Sequence, residues 1–231
     1  MGRTPGREAA KASSPALTGG EDVSGPPETA RHLGYQARPG GQADQRGSMR
    51  TTGVCSRSMK AGVSVRDARA DEAGQVVALI LEAYDEFGKF VTPGFLEMFR
   101  ADAADVEGRA PFTDLIVADR GGTLVGAVTF YRDGSGYSDG WPPGWAALRL
   151  LAVAPSARGL GIGRALTAEC VRRAQSGGCP AIGLHTTRFM EDARRLYESM
   201  GFQRLPELDF EYAPDFPVMG YRLRFESGSP L

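Results

Sequence analysis

The sequence predicts an α/β domain built on a mixed sheet, and three observations carry that expectation. Strand-like and helix-like segments alternate over residues 63–225. In the middle of that stretch an apolar run ending at Val153 passes through a glycine-rich turn, Arg158 to Gly163, into an amphipathic segment. Two further apolar segments are joined by Arg120-Gly121-Gly122, a hairpin turn signal.

The elements follow in order. Val63 to Arg66 reads as a strand. Asp71 is placed to cap a helix reaching about Phe87, because Val76, Val77, Ile80, Leu81, Tyr84 and Phe87 recur every three or four residues. Thr92 followed by Pro93 is a cap and a favoured first helical residue, so Phe95, Leu96, Met98 and Phe99 fall on a second helix. Asp114 to Asp119 and Thr123 to Arg132 are the hairpin strands, and Asp133 to Trp145 is a loop. The central strand spans Ala146 to Val153, and the helix after the glycine turn ends near Gly177-Gly178. A short strand from Cys179, a helix closed by Gly201, and two strands at Leu208 to Tyr212 and Val218 to Phe225 complete the domain, which is expected to occupy residues 61–231.

Residues 1–60 are built differently. They hold ten glycines and five prolines with few apolar residues and no period, a composition that buries too little apolar surface to offset its ordering entropy. This stretch is read as disordered. It lacks the apolar segment of a secretory signal, and Glu8, Glu21 and Asp22 argue against a transit peptide; a start at Met49 or Met59 is the rival reading. With 27 basic and 28 acidic side chains the chain gives no electrostatic case for binding nucleic acid. No apolar run approaches the ~20 residues that span a bilayer, so no membrane partner is expected. Cys55, Cys170 and Cys179 show no metal spacing and no even disulfide set, which suits a cytoplasmic setting, and two histidines exclude a multi-histidine metal site.

The glycine turn carries the functional signal. The first amides of a helix have no internal acceptor, so a strand–turn–helix join of this kind offers an anion a ring of N–H donors. The turn lacks G-K-[ST] and has G-x-G-x-G at Gly159, Gly161 and Gly163, with Arg164 in place of a third glycine. A triphosphate P-loop and a dinucleotide fingerprint are both disfavoured. The pattern Arg158-x-x-Gly161-x-Gly163, preceded by V-A-P, resembles the motif of the Gcn5-related N-acetyltransferase superfamily. Ala193, Tyr197, Gly201 and Phe202 match that family's A-x-x-x-Y-x-x-x-G-F helix, with Met190 where the family often has asparagine. The likeness covers about Val63 to Phe225.

The resemblance implies an acyl-CoA N-acyltransferase fold: a mixed, mostly antiparallel twisted sheet with helices on both faces. It implies acetyl-CoA as co-substrate, no metal, a small-molecule or peptide amine as acceptor, and leaves room for a homodimer. The pyrophosphate would lie on the turn formed by Arg158, Gly159, Leu160, Gly161, Ile162, Gly163 and Arg164, and the pantetheine arm along Leu151 and Val153. Arg158 and Arg164 either touch phosphate or pair with surface groups. Tyr197 matches the family's general acid for the leaving sulfur; its other reading is an aromatic packing residue. His185 ends the next strand, where an imidazole suits proton acceptance, or it is structural, the amine arriving already neutral. Asp85, Glu86 and Glu82 read as a solvated helix face. Tyr84, Phe87, Phe90, Trp141 and Trp145 either meet the acceptor or belong to the core. The expected activity is direct acetyl transfer from acetyl-CoA to a primary amine; the alternative is a non-catalytic acyl-CoA-binding or sensing module.

Overall fold

The computed structural model of the 231-residue chain describes residues 62–133, 140–213 and 216–225. The reading of residues 1–60, and residues 134–139 of the loop expected from Asp133, lie outside the described residues. Eight strands form one sheet: β1 (Val63–Asp67), β2 (Thr113–Arg120), β3 (Thr123–Tyr131), β4 (Ala146–Val153), β5 (Ala181–Thr187), β6 (Gln203–Arg204), β7 (Phe210–Ala213) and β8 (Phe216–Arg224). Their order is β1-β2-β3-β4-β5-β8-β6, with β7 paired to β8. Every pairing is antiparallel except β4 with β5. The sheet is therefore mixed and mostly antiparallel, as expected.

Among the described residues there are five α-helices, four of which cover the two faces of the sheet. α1 (Ala73–Tyr84) and α2 (Pro93–Ala104) pack on one side, in a core of Val76, Ile80, Ala103, Val117 and Ala127. α4 (Ile162–Ser176) and α5 (Glu191–Ser199) pack on the other, in a larger core that includes Ile116, Val128, Leu166, Cys170 and Leu184. The period of two in β2 sends Ile116 and Ala118 to one core and Val117 to the other. The short α3 (Val106–Arg109) and β6 carry too few residues to show a period, so the sequence did not reveal them.

Local chemistry explains most boundaries. Thr92 caps α2 by accepting from the Phe95 N–H, with Pro93 in the first turn. Gly121 and Gly122 both have positive φ, as a two-residue hairpin turn requires, and Asp119 accepts from the Gly122 N–H. Gly201 takes a φ of +88° just past α5. The first helix differs from expectation at both ends. Asp71 does not cap it; Glu72 is held by arginines, and a 3-10 turn, Ala70–Glu72, precedes the helix. A second 3-10 stretch, Asp85–Phe90, replaces its expected final turn. Leu208, expected in a strand, belongs to a 3-10 turn, Pro206–Leu208.

Candidate active site

The site begins where β4 stops pairing. β4 runs parallel to β5 through only two residue pairs, Ala146 with Ile182 and Ala147 with Gly183. Beyond Ala147 no strand among the described residues pairs with that edge, and a cleft of about 920 Å³ opens there. Such a volume is in the range of small-molecule sites.

A bulge prepares the open edge. Opposite β3, the register slips so that Thr129 faces Arg149 while Ala127 faces Ala152, one extra residue on β4. Leu150 absorbs it at a φ of +52°, the sole left-handed non-glycine among the described residues, a conformation costing about 1–2 kcal/mol. The extra residue also reverses the side-chain alternation. Ala146 and Leu148 face the α4 side, whereas Leu150 and Ala152 face α1, leaving Leu151 and Val153 to pack toward α4. The Tyr84 hydroxyl, delivered by α1, donates to the Leu151 carbonyl at 3.3 Å. Burial pushes that phenol up to about 12, so it remains a donor.

The glycine turn closes one end of the cleft. Gly159 and Gly161 both have φ of +78°, and Gly161 is the residue from which α4 starts. A Cβ at Gly159 would meet nothing, so its dihedral rather than crowding calls for glycine. The first intrahelical bond runs from the Ala165 N–H to the Gly161 carbonyl. The amides of Ile162, Gly163 and Arg164 therefore have no acceptor within the helix. No side-chain cap and no acidic side chain occupies that first turn. This end of the cleft is complementary to an anion. Replacing Gly161 by valine is expected to cost about 1–2 kcal/mol of stability, because a branched residue resists the left-handed region. It should also weaken anion binding at the turn about tenfold by moving the amides, whereas Gly161→Asn, which tolerates that region, should retain most of the affinity in calorimetric titration with pyrophosphate.

The two arginines of the turn are engaged elsewhere. Arg158 pairs with Glu86 at 2.9 Å and donates to the Ala83 carbonyl at 3.2 Å, while Arg164 donates to the Ser199 hydroxyl. Arg158 thus clips the turn to the end of α1. Leu160 is exposed.

α5 supplies the facing wall. Tyr197 lines the cleft, is only 4% exposed and packs its ring on Phe202. Its hydroxyl makes no hydrogen bond among the described residues. Burial first, then the neighbouring Tyr84 and Cys170, raise its pKa well beyond the ordinary phenol value. Met190 stands at the start of α5 without capping it and accepts a weak contact from the Thr186 hydroxyl at 3.7 Å. His185 stands on β5 across the opening. Its Nε2 lies 2.9 Å from the Leu208 carbonyl, which makes that nitrogen the proton carrier, and its Nδ1 is buried. The ring is held between Trp141 and Phe210, with centroids at 4.7 and 5.1 Å.

Of the aromatics, Tyr84, Phe87 and Phe90 line the cleft. Trp141 and Trp145 do not: they stack on each other in a separate cluster with Tyr131 and Ala147. A Cβ at Gly183 would collide with the Trp141 ring, which fixes that indole against β5. Sequence reasoning passed over Arg149, whose guanidinium is held by Asp102 of α2 at 2.9 Å beside the cleft. A charge in the middle of an apolar strand was its signal. Among the described residues no group of three His, Cys, Asp or Glu is arranged to hold a metal ion, and no helix is long and apolar enough to cross a membrane.

Comparison with known proteins agrees with this geometry. The acetyltransferase (GNAT) family matches residues 77–202, more than half of the chain. A mycothiol acetyltransferase of Nocardiopsis dassonvillei is 39% identical over 84 residues, 36% of this chain and 24% of that protein. The chain thus spans about a quarter of that relative's length. An uncharacterised N-acetyltransferase of Schizosaccharomyces pombe is 29% identical over 125 residues, 54% of this chain and 72% of that protein. The crystal structure of a histone acetyltransferase HPA2 and related acetyltransferase from Corynebacterium glutamicum superposes with a TM-score of 0.58 at 24% identity, covering 73% of this chain and 99% of that one. That likeness shows the fold. The chain belongs to the acetyltransferase (GNAT) family.

Proposed function

We propose that the protein moves the acetyl group of acetyl-CoA to a primary amine by direct attack on the thioester. One observation carries the reading: a single cleft brings together a helix N-terminus whose first amides lack intrahelical acceptors, the edge of a bulged strand that no described strand covers, and a buried tyrosine. The residues fit the co-substrate. Amides of Gly159 to Arg164 would take the pyrophosphate, each hydrogen bond to the charged group contributing about 1.5–3 kcal/mol. Leu151 and Val153 offer main-chain groups to the pantetheine amides, as an added strand would use them. Arg158 and Arg164 serve mainly to fix the turn, since both already have protein partners.

Holding donor and acceptor together supplies much of the acceleration. Backbone N–H groups on the open edge of β4 stabilise the oxyanion without reorganising. Tyr197 gives its proton to the departing sulfur, and the proton that the nitrogen sheds as the amide forms returns the phenolate to phenol. The base role assigned to His185 is narrower than its position suggests, because Nε2 is committed to Leu208 and Nδ1 is buried. The imidazole is better placed to fix the wall of the cleft, and the amine attacks after losing its proton. The free thiols of Cys170 and Cys179 suit a reducing cytoplasm, and the acceptor is a small molecule or a peptide amine.

Thiol release from acetyl-CoA tests the reading. With a panel of polyamines, amino acids, arylalkylamines and peptide N-termini, at least one acceptor should release free thiol in step with an acetylated product. Tight binding of acetyl-CoA without thiol release by any of them would favour the sensing module.

A further inference from the structure

A second cavity of about 150 Å³ opens off the cleft, with Arg149, Leu150 and His185 lining both. Its walls come from parts of the chain far apart in sequence. Tyr84, Phe87, Phe95 and Phe99 come from the α1–α2 region, and Phe210 and Phe216 from β7 and β8. The rings brace one another: Tyr84 lies 4.9 Å from Phe99, and Phe95 5.2 Å from Phe216. Among the described residues no Asp or Glu lines the cavity. The one full charge on its wall among the described residues is Arg149, whose fork is held by Asp102.

The main cleft next to it has stacked rings of its own. Phe90 stacks on Phe189 with centroids 4.5 Å apart and planes 9° from parallel, so the 3-10 stretch after α1 touches the loop before α5. Lys89 lies over the Phe90 ring and the Arg188 guanidinium over the Phe189 ring. Cations thus already occupy ring faces in the main cleft.

We infer that this cavity receives the side group of the amine acceptor, and that the acceptor is a primary amine bearing one compact aromatic group: an arylalkylamine. The inference rests on reading the main cleft as the acetyl-CoA site. Volume sets the size, since an apolar cavity near 150 Å³ holds one benzene ring. Ring walls favour an aromatic guest through edge-to-face contacts. The wall chemistry rejects a second ammonium group, which would lose its water, gain no carboxylate and face Arg149. Polyamines and aminoglycosides are therefore poor substrates. With the ring seated, the nitrogen is left at the junction with the cleft, beside the open edge of β4. Desolvation there favours the neutral amine, which removes the need for a strong base.

The test compares four amines with acetyl-CoA: 2-phenylethylamine, n-propylamine, putrescine and spermidine. Burial of the ring should raise kcat/KM for 2-phenylethylamine about 10- to 100-fold above n-propylamine, with both polyamines lower still. Leu96→Trp, on the α2 wall, should fill the cavity and erase that preference while leaving CoA affinity unchanged. Calorimetry keeps the two readings apart. Wild-type protein in the presence of CoA should bind 2-phenylethylamine, and the variant should bind it at least tenfold more weakly. Putrescine or spermidine matching 2-phenylethylamine would overturn the inference, as would absent amine binding by protein that still binds CoA. Loss of hexanoyl-CoA use in Leu96→Trp with unchanged amine preference would also overturn it, by showing that the cavity holds the acyl chain. Failure to bind CoA at all would instead remove the function on which it rests.

Discussion

Phenylalanine in place of Tyr197 is expected to lower kcat by about 100-fold or more, the usual scale for loss of a general acid, and to leave acetyl-CoA affinity and melting temperature nearly unchanged. The substitution deletes one oxygen. The ring keeps its contact with Phe202, 5.7 Å between centroids, and its place against α4. No protein partner among the described residues loses a hydrogen bond, so the fold has nothing to give up. Turnover should differ, because the departing sulfur carries negative charge beside the buried Tyr197, where an unprotonated thiolate is costly. Burial raises the Tyr197 pKa, so the phenol keeps its proton across and beyond the physiological range. The sign follows: deprotonation of Tyr197 should produce no fall in kcat below about pH 10, the ordinary phenol value. Steady-state kinetics with saturating acetyl-CoA, beside calorimetric affinities of both proteins, decide the matter. Equal turnover in the variant would reduce Tyr197 to a packing residue.

The parts of this site that were legible in the sequence are the local ones. The glycine turn and the Ala193–Tyr197 spacing each lie within one continuous segment, where periodicity and backbone freedom determine the outcome. The hairpin at Gly121-Gly122 and the cap at Thr92 were readable for the same reason. What escaped depends on groups distant in sequence. The bulge at Leu150 has no residue signature, since leucine is an unusual choice for positive φ; its conformation is imposed by packing of β4 between α1 and α4. Asp71 has the chemistry of a cap, yet the turn is organised instead by Arg66 from β1 reaching Glu72. Phe95, Phe99, Phe210 and Phe216 come from segments more than 100 residues apart, and only the sheet order brings their rings around one cavity. Arg158 shows how a motif residue can match while its side chain serves the scaffold.

The Glu72 carboxylate is where the scaffold behind this site is most vulnerable. It is 1% exposed and accepts both arms of the Arg66 fork at 2.8 Å, the Arg69 N–H at 2.7 Å and the Arg69 guanidinium at 2.6 Å. Arg66 also reaches Asp119 at 2.6 Å, so one cluster joins β1, the entry to α1 and the β2–β3 hairpin. α1 in turn carries Tyr84 to the bulge. Glu72→Gln removes the charge at nearly constant shape and leaves a half-satisfied arginine fork. The expected cost is about 2–3 kcal/mol at neutral pH, or about 5–10 °C in melting temperature for a domain of this size. The pH dependence follows from the hydrogen bonds of Arg66, which hold the Glu72 carboxyl at about 2 against an ordinary 4.5; Asp119 is lowered by the same guanidinium. A carboxyl depressed in the folded state stabilises it above the unfolded value and loses that contribution as pH falls toward the folded one. The gap between wild type and Glu72→Gln should therefore be full at pH 7 and shrink between about pH 4.5 and 2 as the native carboxylate takes up its proton. Melting curves of the two proteins across that range make the comparison. Curves that stay parallel down to pH 2 would mean that the cluster contributes through shape alone and that its charge adds nothing to the stability of the fold.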